Sequence, residues 1–212
     1  MFCVACGGNT GSPEVSDLVL ASASPRRREL LDQLGVRYTC VPADIDESFN
    51  PTENPRAYVE RMAIEKAVVV AARYPDADTA VIAADTIVLV DDADVLGKPV
   101  DRFDGLAMLA RLSGRRHTVI TAVCLHLLGK VSCELVETQV NFIPLTRELC
   151  EAYLATDEPW DKAGAYGIQG MAGAFVQSIE GSYSNVVGLP LCETWQLLRA
   201  NGIATGLAPA DG

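Results

Sequence analysis

The sequence predicts an α/β layered fold, and three features carry that expectation. Short, wholly apolar runs at Leu18–Ala21 and Ala80–Ala84 read as buried strands. A long amphipathic stretch, Asn54–Arg73, reads as a helix alternating with them. Two long strand-rich runs, Arg116–Leu128 and Val131–Ile143, flank Gly129-Lys130 as an antiparallel hairpin.

Each element has a local reason. Residues Met1 to Asp17 carry Gly, Ser, Asn and Pro without a basic start and long apolar core, so they read as a flexible tail and not a signal peptide. The strand Leu18–Ala21 empties into Ser22-Ala23-Ser24-Pro25. A helix, Arg26–Leu34, then opens with Ser24 as N-cap and Pro25 at its first position, and ends at Gly35. Arg37–Val41 is a second strand closed by Pro42. Asn54 caps the long helix with Pro55 behind it. After Ala80–Ala84, Ile87–Val90 continues as strand and Asp91–Asp94 turns. Asp101–Leu112 is a helix stopped by Ser113-Gly114, and Thr146–Ala155 is a helix capped by Thr146. Gly173–Ile179 is a strand, and Leu189–Ala200 a last helix ended by Asn201-Gly202. Ile203–Gly212 is expected to fray. Nothing forces two domains: a single domain spans 18–202 between tails 1–17 and 203–212.

The chain has 212 residues, 49% apolar and only 6% aromatic, so its core is aliphatic and large enough to need no staples. A net charge of −11 argues against broad duplex nucleic-acid binding but not against a local anion site in a cleft. No apolar run reaches bilayer-spanning length, so no membrane partner is expected. Seven scattered cysteines, odd in number and mostly in apolar runs, read as reduced thiols of a cytoplasmic protein. Cys3 and Cys6 form a CxxC with no second pair at zinc spacing.

Four segments look chemical. Ser22 to Arg28 joins a strand end, hydroxyls, a helix start and three arginines, a setting that suits phosphate. An ordinary strand-to-helix turn with solvated arginines fits the same residues. Asp44, Asp46 and Glu47 share one short loop, as a hard cation or a solvated turn would have it. Asp85 and Thr86 interrupt an otherwise apolar run, where a lone carboxylate is costly unless paired or holding a metal. The Gly/Ala-rich stretch Asp157–Gly170 carries Lys162, suited to phosphate, and Gln169, whose amide can read a base edge. Lys66 and Lys98 read as surface charges or phosphate ligands, and His117 and His126 as structural. No Walker-type GKS/T run is present, which argues against a P-loop NTPase.

Together these segments resemble the Maf family of nucleoside triphosphate pyrophosphatases. The matching pieces, in family order from about Leu18 to Leu198, are Ser22-Ala23-Ser24-Pro25-Arg26-Arg27, Asp46-Glu47, Arg61-Met62-Ala63 with Lys66-Ala67, and Ala84-Asp85-Thr86-Ile87-Val88. They continue with Leu96-Gly97-Lys98-Pro99, Leu112-Ser113-Gly114 with His117, Asp161–Gly170, Gly181-Ser182-Tyr183 and Val187-Gly188-Leu189-Pro190. The resemblance implies a Maf/ITPase-like α/β fold, an elongated mixed sheet flanked by helices with a central cleft. It implies hydrolysis of a nucleoside triphosphate to the monophosphate and pyrophosphate with Mg2+ or Mn2+, and a homodimer. It places the proton acceptor at Asp85, phosphate ligands at Ser22, Ser24, Arg27, Lys66, Lys98 and Lys162, and the metal at Glu47 and Asp85. It assigns substrate sorting to Arg26, Thr86 and Gln169, a triplet similar to the branch acting on dTTP and UTP. A sister branch acting on 7-methyl-GTP carries other residues there, including a bulky aromatic at the Arg26 position. No catalytic position departs from the pattern. The rival of another class is a nucleotide-sensing regulator of septum formation without turnover, for which Asp85 would be dispensable.

Overall fold

A computed structural model of the chain describes residues 17–75, 78–91 and 94–207. Its strands are β1 (Asp17–Leu20), β2 (Thr39–Cys40), β3 (Thr79–Val90), β4 (Asp94–Leu96), β5 (Arg116–Leu127), β6 (Lys130–Phe142) and β7 (Val176–Glu180). Its helices are α1 (Pro25–Gln33), α2 (Pro55–Ala71), α3 (Arg102–Leu112), α4 (Arg147–Tyr153), α5 (Tyr183–Val187) and α6 (Leu191–Ala200). All seven strands join one mixed sheet in the order β2-β1-β3-β5-β6-β7, with β4 also on β3. β1 runs parallel to β2 and β3, and the remaining pairs are antiparallel.

The layers follow from the two-residue period of β3. Val81, Ala83, Ile87 and Leu89 face α2. On the other face Ala80, Ile82 and Ala84 pack on α1 and α6, whereas Val88 and Val90 pack on α3 and α4. That second face therefore holds two separate cores, and Thr86 stands between them.

The edge of β3 divides at the same place. β1 pairs with residues 79–82 and β4 with residues 88–90. Among the described residues, 83–87 have no sheet partner on that edge, although β5 pairs with them throughout on the other. A strand with one open edge, flanked by two cores, is a cleft built into the sheet.

Several expectations need correction. The two short runs 80–84 and 87–90 are one strand, because the Asp85 and Thr86 backbones pair with Ala122 and Thr121 across β5. Asp94–Leu96 is strand, and α5 is a helix too short to show a period. A 3₁₀ turn, Met171–Phe175, delays β7 to Val176. Ser24 holds the N-cap position of α1 without a capping side-chain hydrogen bond. Asn54 and Thr146 do cap, accepting from Arg56 N–H and Leu149 N–H. Beyond α6, Ile203 is buried and Gly206 N–H donates to Leu34 O at 2.8 Å, so the segment expected to fray begins tied down.

The cysteine reading also fails at one pair. Cys124 and Cys133 stand directly opposite on β5 and β6, with Cα atoms 4.1 Å apart, and form a disulfide. Directly opposed residues on one face of a hairpin are the closest side chains a sheet offers. Cys40, Cys150 and Cys192 are free thiols. The Cys3–Cys6 motif lies outside the described residues. Among the described residues no helix is long and apolar enough to cross a membrane.

His117, buried near the start of β5, gives the fold a pH dependence. Burial pushes its imidazole pKa down to about 4. In the unfolded chain it titrates near 6.5, so acid protonates the unfolded state first. The stability it contributes is complete above about pH 6.5 and is lost as pH falls toward 4, roughly 3 kcal/mol in all. Scanning calorimetry at pH 7 and pH 4.5 should show a smaller acid-induced fall in Tm for His117→Leu than for the unmodified chain. An equal fall would mean that this imidazole contributes no such term.

Candidate active site

Every residue expected to bind or react lines one cleft of about 610 Å³ at the open edge of β3. Its inner wall is acidic and basic at once. Asp85 projects from β3 toward α2, where Lys66 Nζ donates to Asp85 Oδ1 at 2.6 Å and lies 2.7 Å from Glu47 Oε1. Lys98 Nζ, on the segment after β4, is 3.7 Å from Glu47 Oε2. Lys66 and Asp85 are 6% and 9% exposed, so this is a buried ion pair with one shared outer carboxylate. Burial works against the Glu47 carboxylate, but its hydrogen bond to Lys66 and the charges of Lys66, Lys98 and Arg27 outweigh it and hold its pKa below the usual range.

Lys66 is where sequence reasoning was least decided. The apolar stripe of α2 runs through Val59, Met62, Ala63, Ala67 and Val70, and Lys66 falls on it. A lysine on the buried face of a helical period was the available signal. The carboxylate loop is corrected as well: only Glu47 turns into the cleft. Asp46 instead accepts from Ser48 N–H and Oγ, an Asx turn in solvent. Tyr58 Oη donates to Glu47 O at 2.7 Å and so ties that loop to α2.

The floor is built on the other face of β3. Arg27, from the first turn of α1, donates through Nε to Gly188 O at 2.8 Å and through Nη2 to Thr86 Oγ1 at 3.1 Å. Thr86 Oγ1 also meets Thr121 Oγ1 at 2.9 Å, so its hydroxyl is engaged within the floor. Ser22 is buried, and its Oγ accepts from Ser24 N–H at 3.1 Å and from Arg27 Nη1 at 3.5 Å. The strand-to-helix turn thus presents hydroxyls, amides and a guanidinium to one space, the arrangement that receives phosphate at helix N-termini.

The outer wall is the glycine-rich loop. Lys162 Nζ donates to Glu158 O and pairs with Asp161 at 2.6 Å. Asp161 also takes Arg26 Nη1 at 2.8 Å and so bridges α1 to the loop across the cleft. Glu158 accepts from Met171 N–H, Ala172 N–H and Tyr153 Oη, which fixes the far end of the loop. A Cβ at Gly170 would lie 2.3 Å from the Glu158 carboxyl, so a side chain there would displace the group that holds this end of the loop. Gln169 is exposed at the mouth, and its amide has no hydrogen-bond partner among the described residues. No individual role was read from sequence for Asp161, Glu158, Thr121 or Gly188, whose partners include residues 13 to 161 positions away.

Five cations thus face three carboxylates in one cleft, a surplus suited to a multiply charged anion. Among the described residues no three His, Cys, Asp or Glu side chains group to hold a metal ion. Glu47 and Asp85 are nevertheless two oxygen donors meeting at one ammonium, a set that fits a hard cation completed by ligand oxygens and water.

A family profile described as Maf-like protein matches residues 17–201. Curated relatives carry the name dTTP/UTP pyrophosphatase. The one from Hahella chejuensis is 51% identical over 196 residues, covering 91% of this chain and 96% of its own length. That from Shewanella oneidensis is 51% identical over 193 residues, covering 88% and 99%. That from Neisseria meningitidis serogroup B is 46% identical over 199 residues, covering 92% and 98%.

Proposed function

The chain belongs to the Maf family, and with that as premise we propose that it hydrolyses dTTP and UTP to the nucleoside monophosphate and pyrophosphate. The observation that carries this is Asp85, ionically held by Lys66 and set beside Glu47 in a cleft lined by Arg26, Arg27, Lys66, Lys98 and Lys162.

Cleavage between the α and β phosphates needs a water aimed at phosphorus and compensation for charge on the leaving pyrophosphate. Lys66 engages only Oδ1 of Asp85, and Oδ2 has no protein donor among the described residues. That oxygen orients the water and takes its proton. Arg27, with its fork already aligned by Gly188 and Thr86, receives phosphate oxygens together with the hydroxyls of Ser22 and Ser24. Lys98, largely exposed, and Lys162, on the outer wall, face the charge that the leaving pyrophosphate gathers. Lys66 exchanges its carboxylates for phosphate as the anion arrives. Glu47 and Asp85 would hold Mg2+ or Mn2+, which when bound supplies charge neutralisation to the triphosphate.

The base is sorted by Gln169. Its amide offers one acceptor and one donor side, matching N3–H and a carbonyl of uracil or thymine. Cytosine presents an acceptor at N3 and an amine at C4, so the amide must turn over to pair with it, and selectivity follows where the bound nucleotide holds the amide in one orientation. Pyrophosphate release from UTP, dTTP, CTP, GTP and 7-methyl-GTP with Mg2+ or Mn2+ tests the reading. UTP and dTTP are expected to exceed CTP by at least about tenfold in kcat/KM. Gln169→Glu is expected to lower both, because a charged acceptor then faces a carbonyl. Equal rates for CTP or GTP would remove the uracil and thymine assignment, and no release from any triphosphate would remove the enzyme.

A further inference from the structure

His117 is a buried titratable group that the chemistry above does not use. It is 2% exposed and packs edge-on against Phe142 at 4.9 Å and Tyr166 at 5.5 Å, measured between ring centres. Its Nε2 lies 2.8 Å from Tyr166 Oη. Its Nδ1 is buried with no partner among the described residues, and the phenol has no other partner there either. In either neutral tautomer one polar hydrogen of the pair is therefore left without an acceptor. An apolar pair of similar shape would avoid that cost, so the bond needs a reason beyond packing.

Tyr166 supplies one. It sits between Lys162 and Gln169 in the loop that forms the outer wall. Immediately before it Gly164 and Ala165 both adopt the left-handed conformation, with φ of 70° and 58°. Such backbone persists in alanine only where the surroundings over-determine it. Gly164 N–H donates to Gly97 O at 3.0 Å, the residue preceding Lys98. One anchored ring thus sets two side chains of the cleft directly and a third through Gly97. The anchor point belongs to β5, the strand that also pairs Ala122 opposite Asp85.

We propose that His117 is a positioning residue of this site: its hydrogen bond to Tyr166 pins the Lys162–Gln169 loop to β5 and fixes where Lys162 and Gln169 stand relative to Asp85. Asp85, Lys66 and Glu47 lie on other elements and keep their geometry without this bond. Loss of the bond is therefore felt in substrate binding and base choice before it is felt in turnover. The proposal rests on the pyrimidine triphosphate reading for its probe.

The experiment compares Tyr166→Phe, His117→Leu, the double variant and His117→Gln, whose side-chain amide reaches the place of Nε2. Kinetics with UTP and CTP are read beside thermal melts and calorimetric binding of α,β-methylene-UTP. Tyr166→Phe and His117→Leu are expected to raise the UTP KM about tenfold with kcat nearly unchanged and to narrow the UTP-over-CTP preference. The double variant should be no worse than either single one, and His117→Gln should recover most of the loss. Tyr166→Phe keeps the ring packing, so it carries the test alone if His117→Leu does not fold. Unchanged KM and preference in folded Tyr166→Phe, effects that simply add, or a fall confined to kcat would each overturn the proposal. If the unmodified chain binds the analogue but releases no pyrophosphate, the proposed activity fails, and the calorimetric affinities alone then decide the role of His117.

Discussion

Asp85→Asn is expected to lower kcat by about 100-fold or more while the protein still binds nucleotide. The amide keeps the shape of the carboxylate but has neither the basicity to take a proton from water nor the charge to hold a cation. Lys66 keeps Glu47, 2.7 Å away, as its remaining counter-ion, so the buried ammonium is not stranded. A thermal melt should therefore show a folded protein, and titration with UTP in the absence of divalent cation should give an affinity close to that of the unmodified chain. Turnover near the normal rate would remove Asp85 from the role of base. Lost binding together with lost turnover would make it a structural partner of Lys66 instead.

Arg27→Ala is expected to cost about 10- to 100-fold in kcat/KM, the loss of one or two hydrogen bonds to a charged group. The substitution removes a charge from the floor and also the group that links Thr86 on β3 to Gly188 after α5. Arg27→Lys should recover little, because an ammonium cannot reach Gly188 O and Thr86 Oγ1 while also meeting phosphate. Lys98→Ala should cost less, since Lys98 is largely exposed and only 3.7 Å from its one carboxylate neighbour. Steady-state kinetics over a range of UTP concentrations separates these outcomes. A kcat/KM within twofold of normal in Arg27→Ala would leave the arginine as a scaffold of the floor alone.

How much of this was legible in the chain depends on whether the signal was local. Asp85 announced itself, because a carboxylate between Ala84 and Ile87 in an apolar run has no cheap place to go. The caps Asn54 and Thr146 were readable for the same reason, each bonding an amide two or three residues on. Lys66 was half legible: its place on the α2 stripe shows that it is buried but not that two acids await it. Asp46 and Glu47 looked equivalent side by side, and only folding turned one to Lys66 and left the other to Ser48. The cross-cleft contact of Arg26 with Asp161 joins residues 135 apart, and no spacing rule reaches that far.

The sequence by itself determined which of the longer segments become strand or helix and which side chains are out of place in them, but not the short β4 and α5. Periodicity, capping and the cost of a buried charge all act within a few residues of the position concerned. The tertiary structure alone decided that β1 leaves β3 after Ile82 and that β4 joins it only at Val88, which opens the sheet beside Asp85 and Thr86. It alone placed Cys124 against Cys133, and His117 beneath Tyr166. Strand register and helix docking are settled by the whole buried surface at once, so the neighbours of a residue across the fold are not encoded near it in the chain.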